Sequence, residues 1–478
     1  MLLQLAIAAL VLVDGTTAVR TVTIVLNATT CRGLGTECTT MENCLQTIST
    51  CFTSNTLVKF QAGTYDGSAF RTSVTKDVQN LTLLGKVTHN HGNTVPATTI
   101  EHAAFSFINV TRLQIGGISF VQNSVVIDIA QHFVLSHVHI YKSNGYGLHI
   151  RNAISNPVIT QCHFNNASSS NVKIEYNDLA WSQSTGFPIL KILNTRISHA
   201  QSGGVRMRLS QTTYTVAIII DSSIIEQNNR ENIRIALGSN LNGSSRIITK
   251  IHNEVQQKHT GSGLHLSNTG PSDQTSGLLR LINVSFAFYQ PAVSTFVIGG
   301  SNCFSAKFHV EIHNSSFAYA THNSSQEKFY VGSLRRNGIV KFHNCDGNGP
   351  SYRVTVYNTS FTNNFILYSP EDYTYSNAPI NSVVYSVGVQ LHFLNCTFAN
   401  NTLTALQLFN TFVFFYGNNL FYNNSGTNGG AISTTQYTNG NIFVKQGIFL
   451  RPDATVNFFR NRALHRWWCF IHSNRCSK

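Results

Sequence analysis

The residues best equipped for chemistry in this 478-residue chain are ten cysteines, nineteen histidines and a scatter of arginines. Six cysteines form three pairs of one spacing, C-x6-C: Cys31/Cys38, Cys44/Cys51 and Cys469/Cys476. Thiolates at such spacings could bind zinc, but no C-x-x-C or nearby H-x-x-x-H accompanies them. The expectation is therefore disulfides made in an oxidising compartment, with no metal. The first four cysteines allow three connectivities, and spacing selects none of them. Cys162, Cys303, Cys345 and Cys396 stand singly in strand-like segments and read as small buried hydrophobes.

Histidine recurs as KIHN at His252, EIHN at His313 and KFHN at His343, with LHI at His149 and LHL at His265. Aligned on one face, these side chains could form a metal ladder or a pH-sensitive stripe. Scattered over several columns, they are merely outward-facing strand residues. The chain carries 33 Lys and Arg against 20 Asp and Glu, a formal charge of +13 that favours anionic partners. Arg206 and Arg208, two apart, share one strand face, and Arg234, Arg335 and Arg336 add to the basic candidates for a binding surface. No catalytic residue and no cofactor is expected, and nothing resembles a nucleic-acid-binding module.

The elements that must position these residues are legible in composition. Charged residues are 11% of the chain, well below the roughly 25% of an ordinary globular domain, while 49 Asn, 47 Thr and 46 Ser supply a neutral polar surface. Thr, Val, Ile and the 31 Phe favour strands, whereas Asn and the 33 Gly favour turns. The opening MLLQLAIAALVLVDGTTA has an apolar run of signal-peptide length ending in small residues. Residues 1–18 are expected to be a secretory signal, and no later segment is apolar enough to span a bilayer.

Twelve N-x-[ST] sequons are glycosylation candidates: Asn27, Asn80, Asn109, Asn166, Asn242, Asn283, Asn314, Asn323, Asn358, Asn395, Asn400 and Asn423. Four of them, at Asn283, Asn314, Asn358 and Asn395, are followed directly by Phe, which is more than the abundance of Phe explains. In an extended strand the Asn and the Ser or Thr face one way, and the middle residue and Phe the other. Buried Phe then places Val284, Ser315, Thr359 and Cys396 inside. Asn doublets such as 363–364, 400–401 and 423–424 follow these strands, and Asn accepts the left-handed backbone of a sharp corner. Stacked Asn side chains could also hydrogen-bond as a ladder. Intervals of 44 residues (Phe120 to Phe164, Phe317 to Phe361) and 23 (Phe398 to Phe421) suggest turns of about 22 with inserted loops.

Strand, corner and strand, with F-x-x-N at Phe120, Phe361, Phe398, Phe421 and Phe458 and GGAI at Gly429 to Ile432, resembles the right-handed parallel β-helix of the pectate-lyase-like superfamily. The likeness is greatest to extracellular members with polymorphic outer-membrane-protein style repeats. It implies an all-β fold: a small disulfide-bearing N-terminal cap over 19–54, a β-helix over 55–463, and a basic Trp/Cys tail over 464–478. Most enzymes on this fold cleave acidic polysaccharides, but the adjacent Asp pair of the hydrolases and the R-x-P-x-x-R of the lyases are both missing. Acidic residues on different coils, Asp128 or Glu175 for example, could still meet, and carboxylates converging with Arg or Lys in a sheet groove would favour an enzyme. The expectation is a secreted, glycosylated scaffold that binds an extracellular carbohydrate or protein ligand, an anionic glycan being the natural candidate. A polysaccharide lyase or glycoside hydrolase with an unfamiliar site is the alternative.

Overall fold

A computed structural model describes residues 20–26, 37–46, 51–68, 74–90, 93–152, 156–176, 189–210, 216–237, 246–252, 255–259, 263–268, 276–289, 296–299, 308–323, 338–344, 352–367, 382–426, 429–435 and 447–463. Three long sheets of 16, 14 and 13 strands, here called sheets 1, 2 and 3, contain nearly all of them. One coil runs from Arg112–Gly116 in sheet 1, through Ile118–Val121 in sheet 2, to Ser124–Asp128 in sheet 3. The next coil returns to sheet 1 at His132–Ser136, which pairs in parallel with Arg112–Gly116. Repetition of this path makes the chain a right-handed parallel β-helix.

Each strand keeps the period of two. Ser124–Asp128 and Ile189–Leu193, for instance, alternate half-exposed and buried residues, because one face meets the core and the other meets solvent. The inner faces supply one continuous apolar core of Ile, Val, Leu and Phe. On sheet 2 the inner face is a column of stacked rings, buried up to Phe421 and exposed at the last, Phe458. Phe286, Phe317, Phe361, Phe398, Phe421 and Phe458 follow one another at centroid distances of 4.7, 5.0, 4.6, 4.8 and 5.1 Å.

Those rungs correct the expected period. Phe317 and Phe361, 44 residues apart, belong to neighbouring coils, so the interval is one turn with long insertions. Phe120 and Phe164, also 44 apart, are two coils apart with Ile140 between them. Coil length varies because only the strands and corners are packed, whereas loops outside them are free to grow.

Corners explain the asparagines. Of 26 described non-glycine residues with positive φ, 14 are Asn. They include Asn80, Asn109, Asn166, Asn283, Asn314, Asn358, Asn395, Asn400 and Asn423, every sequon Asn in the described residues except Asn323. Thus the sequon Asn does not share a strand with its Ser or Thr; it makes the left-handed turn before the strand or after the previous one. The side chains nonetheless segregate as expected: these Asn are exposed, while Val284, Ser315, Thr359 and Cys396 are buried. At the corner between sheets 1 and 2 the residue after the turn faces inward and accepts from the coil before. Thr195 receives the Cys162 N–H (3.4 Å) and Ser315 receives the Val284 N–H (3.2 Å). Small hydroxyl residues suit that column because a larger side chain would displace the ring beside it.

At the corner between sheets 2 and 3 the second Asn of the doublets 363–364, 400–401 and 423–424 turns inward, as does Asn461 after Arg460. Asn364, Asn401, Asn424 and Asn461 form a ladder in which each Nδ2 donates to the next Oδ1, at 2.9, 2.7 and 2.8 Å. Cys162 and Cys396 are buried and unpaired, and burial pushes both thiols up to about 12, so they stay protonated and unreactive in the native state. Cys303 and Cys345 lie outside the described residues.

At the N-terminal end the short helix Met41–Gln46 carries Cys44, which is disulfide-bonded to Cys51 with Cα atoms 5.6 Å apart. Cys38 is disulfide-bonded as well. Sheet 1 already begins within this region: Arg20–Val25 pairs with both Glu37–Thr40 and Thr56–Phe60. Cys31, Cys469, Cys476, the signal-like residues 1–18 and the tail 464–478 lie outside the described residues. Among the described residues no helix is long and apolar enough to cross a membrane.

Candidate functional site

The outer face of sheet 3 gathers the charges that the sequence scatters. In parallel register, Val126, His149, Lys173, Arg206, Arg234 and His265 occupy one column on six successive coils. Two residues further along each strand, Asp128, Arg151, Glu175, Arg208, Ala236 and Ser267 form a second column. Adjacent strands lie about 4.8 Å apart, so Lys173, Arg206 and Arg234 present three cations along roughly 10 Å of the solenoid axis.

Glu175 is the centre of the first cluster. Lys173 Nζ lies 2.8 Å from one carboxylate oxygen, and His149 Nε2 donates to the other at 2.7 Å. Burial pushes the Glu175 carboxyl up, but the bonds from Lys173 and His149 outweigh it and hold the group below its usual range. It is therefore an ionised acceptor at neutral pH. Burial lowers His149, and its bond to Glu175 only partly restores it, so the imidazole is neutral. Arg151 reaches toward Asp128 at 4.0 Å. Lys173 also sits over the Tyr146 ring, 4.4 Å from its centroid.

Further along the axis, Arg234 pairs with Glu231 at 3.2 Å, and the His265 ring lies 3.9 Å from the same carboxylate. Arg206 and Arg208, between the two clusters, carry no hydrogen bond or ion pair among the described residues. Two unneutralised guanidiniums on a rigid sheet, flanked by cations whose charge is only partly answered, are what an external polyanion would use. Asp128 and Glu175 occur in the column with Arg151 between them, which puts their backbones about 10 Å apart.

Of the five arginines selected by sequence, Arg206, Arg208 and Arg234 fall together, while Arg335 and Arg336 lie outside the described residues. Sequence reasoning missed Lys173, Arg151 and Tyr146, since nothing in spacings of 24 (149 to 173) and 33 (173 to 206) residues marks a shared column. The histidines divide. His149 and His265 share the sheet 3 column, His252 and His313 share one on sheet 1 two coils apart, and His343 is on sheet 3 outside the stripe. Among the described residues no three His, Cys, Asp or Glu side chains converge to hold a metal ion.

A second cluster occupies sheet 2. Tyr141 Oη lies 3.0 Å from His139 Nδ1 and 3.2 Å from His163 Nδ1. The phenol has one proton, so one imidazole accepts it and the other donates, and the two rings adopt opposite tautomers. Burial lowers both histidines to about 4, and His392 on sheet 1 likewise to about 4. A histidine lowered in the folded state contributes stability above its unfolded value of about 6.5, and that contribution is lost as pH falls toward 4. Allowing for partial exposure, the three together are expected to cost roughly 3–5 kcal/mol between pH 7 and pH 4. Urea unfolding at both pH values measures it; equal midpoints would contradict the burial assigned to these rings.

No protein-family model and no curated protein sequence matches the chain. Among solved structures it is similar to the pectate lyase Pel9A, at 10% identity and a TM-score of 0.33 over 82% of this chain and 78% of that one. It is also similar to the Dettilon tailspike protein (gp208), at 9% identity and 0.37, covering 77% of this chain and 63% of that one. A third is the catalytic unit of the thermostable GH87 α-1,3-glucanase from Streptomyces thermodiastaticus, at 10% and 0.31, covering 86% and 64%. The chain spans less than two thirds of the latter two. Likeness this distant says nothing about the site, which stands on the register and contacts above.

Proposed function

We propose that the chain is a secreted, glycosylated β-helix scaffold that binds an acidic polysaccharide along the outer face of sheet 3. The observation that carries this is the column Lys173, Arg206, Arg234, with Arg206 and its strand neighbour Arg208 free of any ion pair among the described residues. A ligand running along the solenoid axis crosses one cation per coil. The strands hold the backbones of those residues at fixed spacing, so binding has only their side chains left to order. The exposed corner positions of nine sequons support the glycosylation, and those at Asn283, Asn314, Asn358 and Asn395 line the edge between sheets 1 and 2, away from the sheet 3 face.

Asp128 and Glu175 flanking Arg151 and Lys173 on one sheet favour a second function, polysaccharide cleavage. Glycoside hydrolysis by two carboxylates needs one of them protonated as the acid. Glu175 is held ionised by two donors, so it suits the base of such a pair and not the acid. Incubation of the full chain with polygalacturonate and with neutral dextran separates the two. Binding to polygalacturonate alone, weakened by salt and without release of oligosaccharides, is expected. Depolymerisation would transfer the site to the second function, and equal binding to dextran would remove the charge-based account.

A further inference from the structure

The stripe continues, toward the N-terminus, into an open groove of about 660 Å³ lined by His102, Gln122, Asn123, Ser124, Asn144 and Tyr146 together with small apolar neighbours. That volume lies within the range of sites for small molecules, about 300–1,000 Å³. Val126 and His149, both on its floor, are the first two members of the column that continues through Lys173 and Arg206. The groove and the cationic track are thus one surface.

Their chemistry differs. Apart from the neutral His149 at the junction, the groove lining is uncharged: hydroxyl, amide, imidazole and phenol groups interleaved with Ala103, Ala104 and Val126, with no Lys or Arg. Asp66, beside the groove wall, lies 3.7 Å from His102 and is lowered by bonds from the Ser68 backbone and hydroxyl, so it is ionised. Asn123 is 2% exposed, its Nδ2 donates to the Ile100 carbonyl at 2.7 Å, and its Oδ1 has no partner. The amides of Gln122 and Asn144 and the Ser124 hydroxyl offer donors and acceptors to a hydroxylated ring. A carboxylate finds no Lys or Arg in this lining and has the Asp66 charge beside His102. Gly145, with nothing within 4 Å of where a side chain would begin, leaves the rim open beside Tyr146.

We infer that this groove is a subsite for an uncharged sugar, hydroxylated or N-acetylated, joined to the acidic part of the same chain on the Lys173–Arg206–Arg234 column. The inference rests on the anionic-ligand function proposed above. It makes the preferred ligand a mixed polysaccharide that carries a neutral ring joined to acidic ones.

Equilibrium binding of the full chain to two hexasaccharides tests it: hexagalacturonate, acidic at every ring, and a hyaluronan hexasaccharide, in which glucuronate alternates with N-acetylglucosamine. The wild type is expected to bind hyaluronan the more tightly. Asn144→Ala and Tyr146→Ala, both on the rim, should weaken hyaluronan at least fivefold and hexagalacturonate less than twofold. Asn144→Ala touches no cation of the stripe, so it separates loss of the groove from disturbance of Lys173. Equal losses on both ligands, no loss on either, or failure of the wild type to bind hyaluronan while binding hexagalacturonate would overturn the subsite. Arg206→Ala with Arg234→Ala should weaken both ligands; if it weakens neither, the anionic-ligand function falls, whatever the rim variants show.

Discussion

Replacing Asn401 with Ala should destabilise the C-terminal coils by about 4–6 kcal/mol. Asn401 is 1% exposed and its side chain makes four hydrogen bonds. Its Oδ1 accepts from the Asn364 N–H at 3.0 Å and from Asn364 Nδ2 at 2.9 Å, while its Nδ2 donates to the Phe361 carbonyl at 3.0 Å and to Asn424 Oδ1 at 2.7 Å. Alanine leaves several of those partners buried and unanswered, at about 1–3 kcal/mol each. The adjacent Asn400, exposed with φ of 55°, is the control: alanine there costs about 1–2 kcal/mol, the left-handed penalty and one exposed hydrogen bond from Asn423 Nδ2 at 3.0 Å. Coils stabilise one another through nearest neighbours, so the loss should show as early unfolding past residue 361 with the N-terminal coils retained. Amide exchange resolved along the chain measures this, and a loss below about 1 kcal/mol would mean the ladder contributes little.

The second large effect concerns binding. Arg206→Ala with Arg234→Ala should reduce affinity for polygalacturonate by roughly 30- to 150-fold, from about 2–3 kcal/mol of charge-assisted bonding at two positions. Among the described residues Arg206 has no partner to lose and Arg234 pairs only with Glu231, at 3.2 Å, so stability should change by less than about 1 kcal/mol. The dependence of affinity on salt should also flatten, because each removed cation releases one counterion fewer on binding. Arg206→Lys should keep most of the affinity if the contact is a point charge, and lose about tenfold if the guanidinium grips a carboxylate with both arms. Unchanged affinity in the double variant would place the ligand elsewhere.

How much of this was legible in the chain depends on whether the signal was local. Phe361 and Asn364 announced a buried ring and an inward amide, because a strand period of two and a corner residue operate over four positions. Cys396 was legible as a buried thiol for the same reason. Arg206 and Arg208 could be placed on one face, since they sit two apart on one strand. The alignment of His149, Lys173, Arg206, Arg234 and His265 could not be read. Their separations of 24, 33, 28 and 31 residues vary with insertions such as 177–188 and 211–215, and register across coils is set by strand pairing rather than by counting. The added chain at 324–337 and 345–351 likewise disguised Phe317 to Phe361 as two turns. The conformation of the sequon Asn was missed because an alternating pattern of burial looks alike whether the first residue is in the strand or in the corner before it.

The central claim is that a polyanion lies across the coils of sheet 3, and a crystal structure of the full chain with hexagalacturonate tests it most directly. The sugar should run along the solenoid axis over the column from His149 to His265, with carboxylates in hydrogen-bond contact with Arg206 and Arg234. A hexasaccharide on the outer face of sheet 1 or 2, or bound with Arg206 and Arg234 untouched, would contradict it.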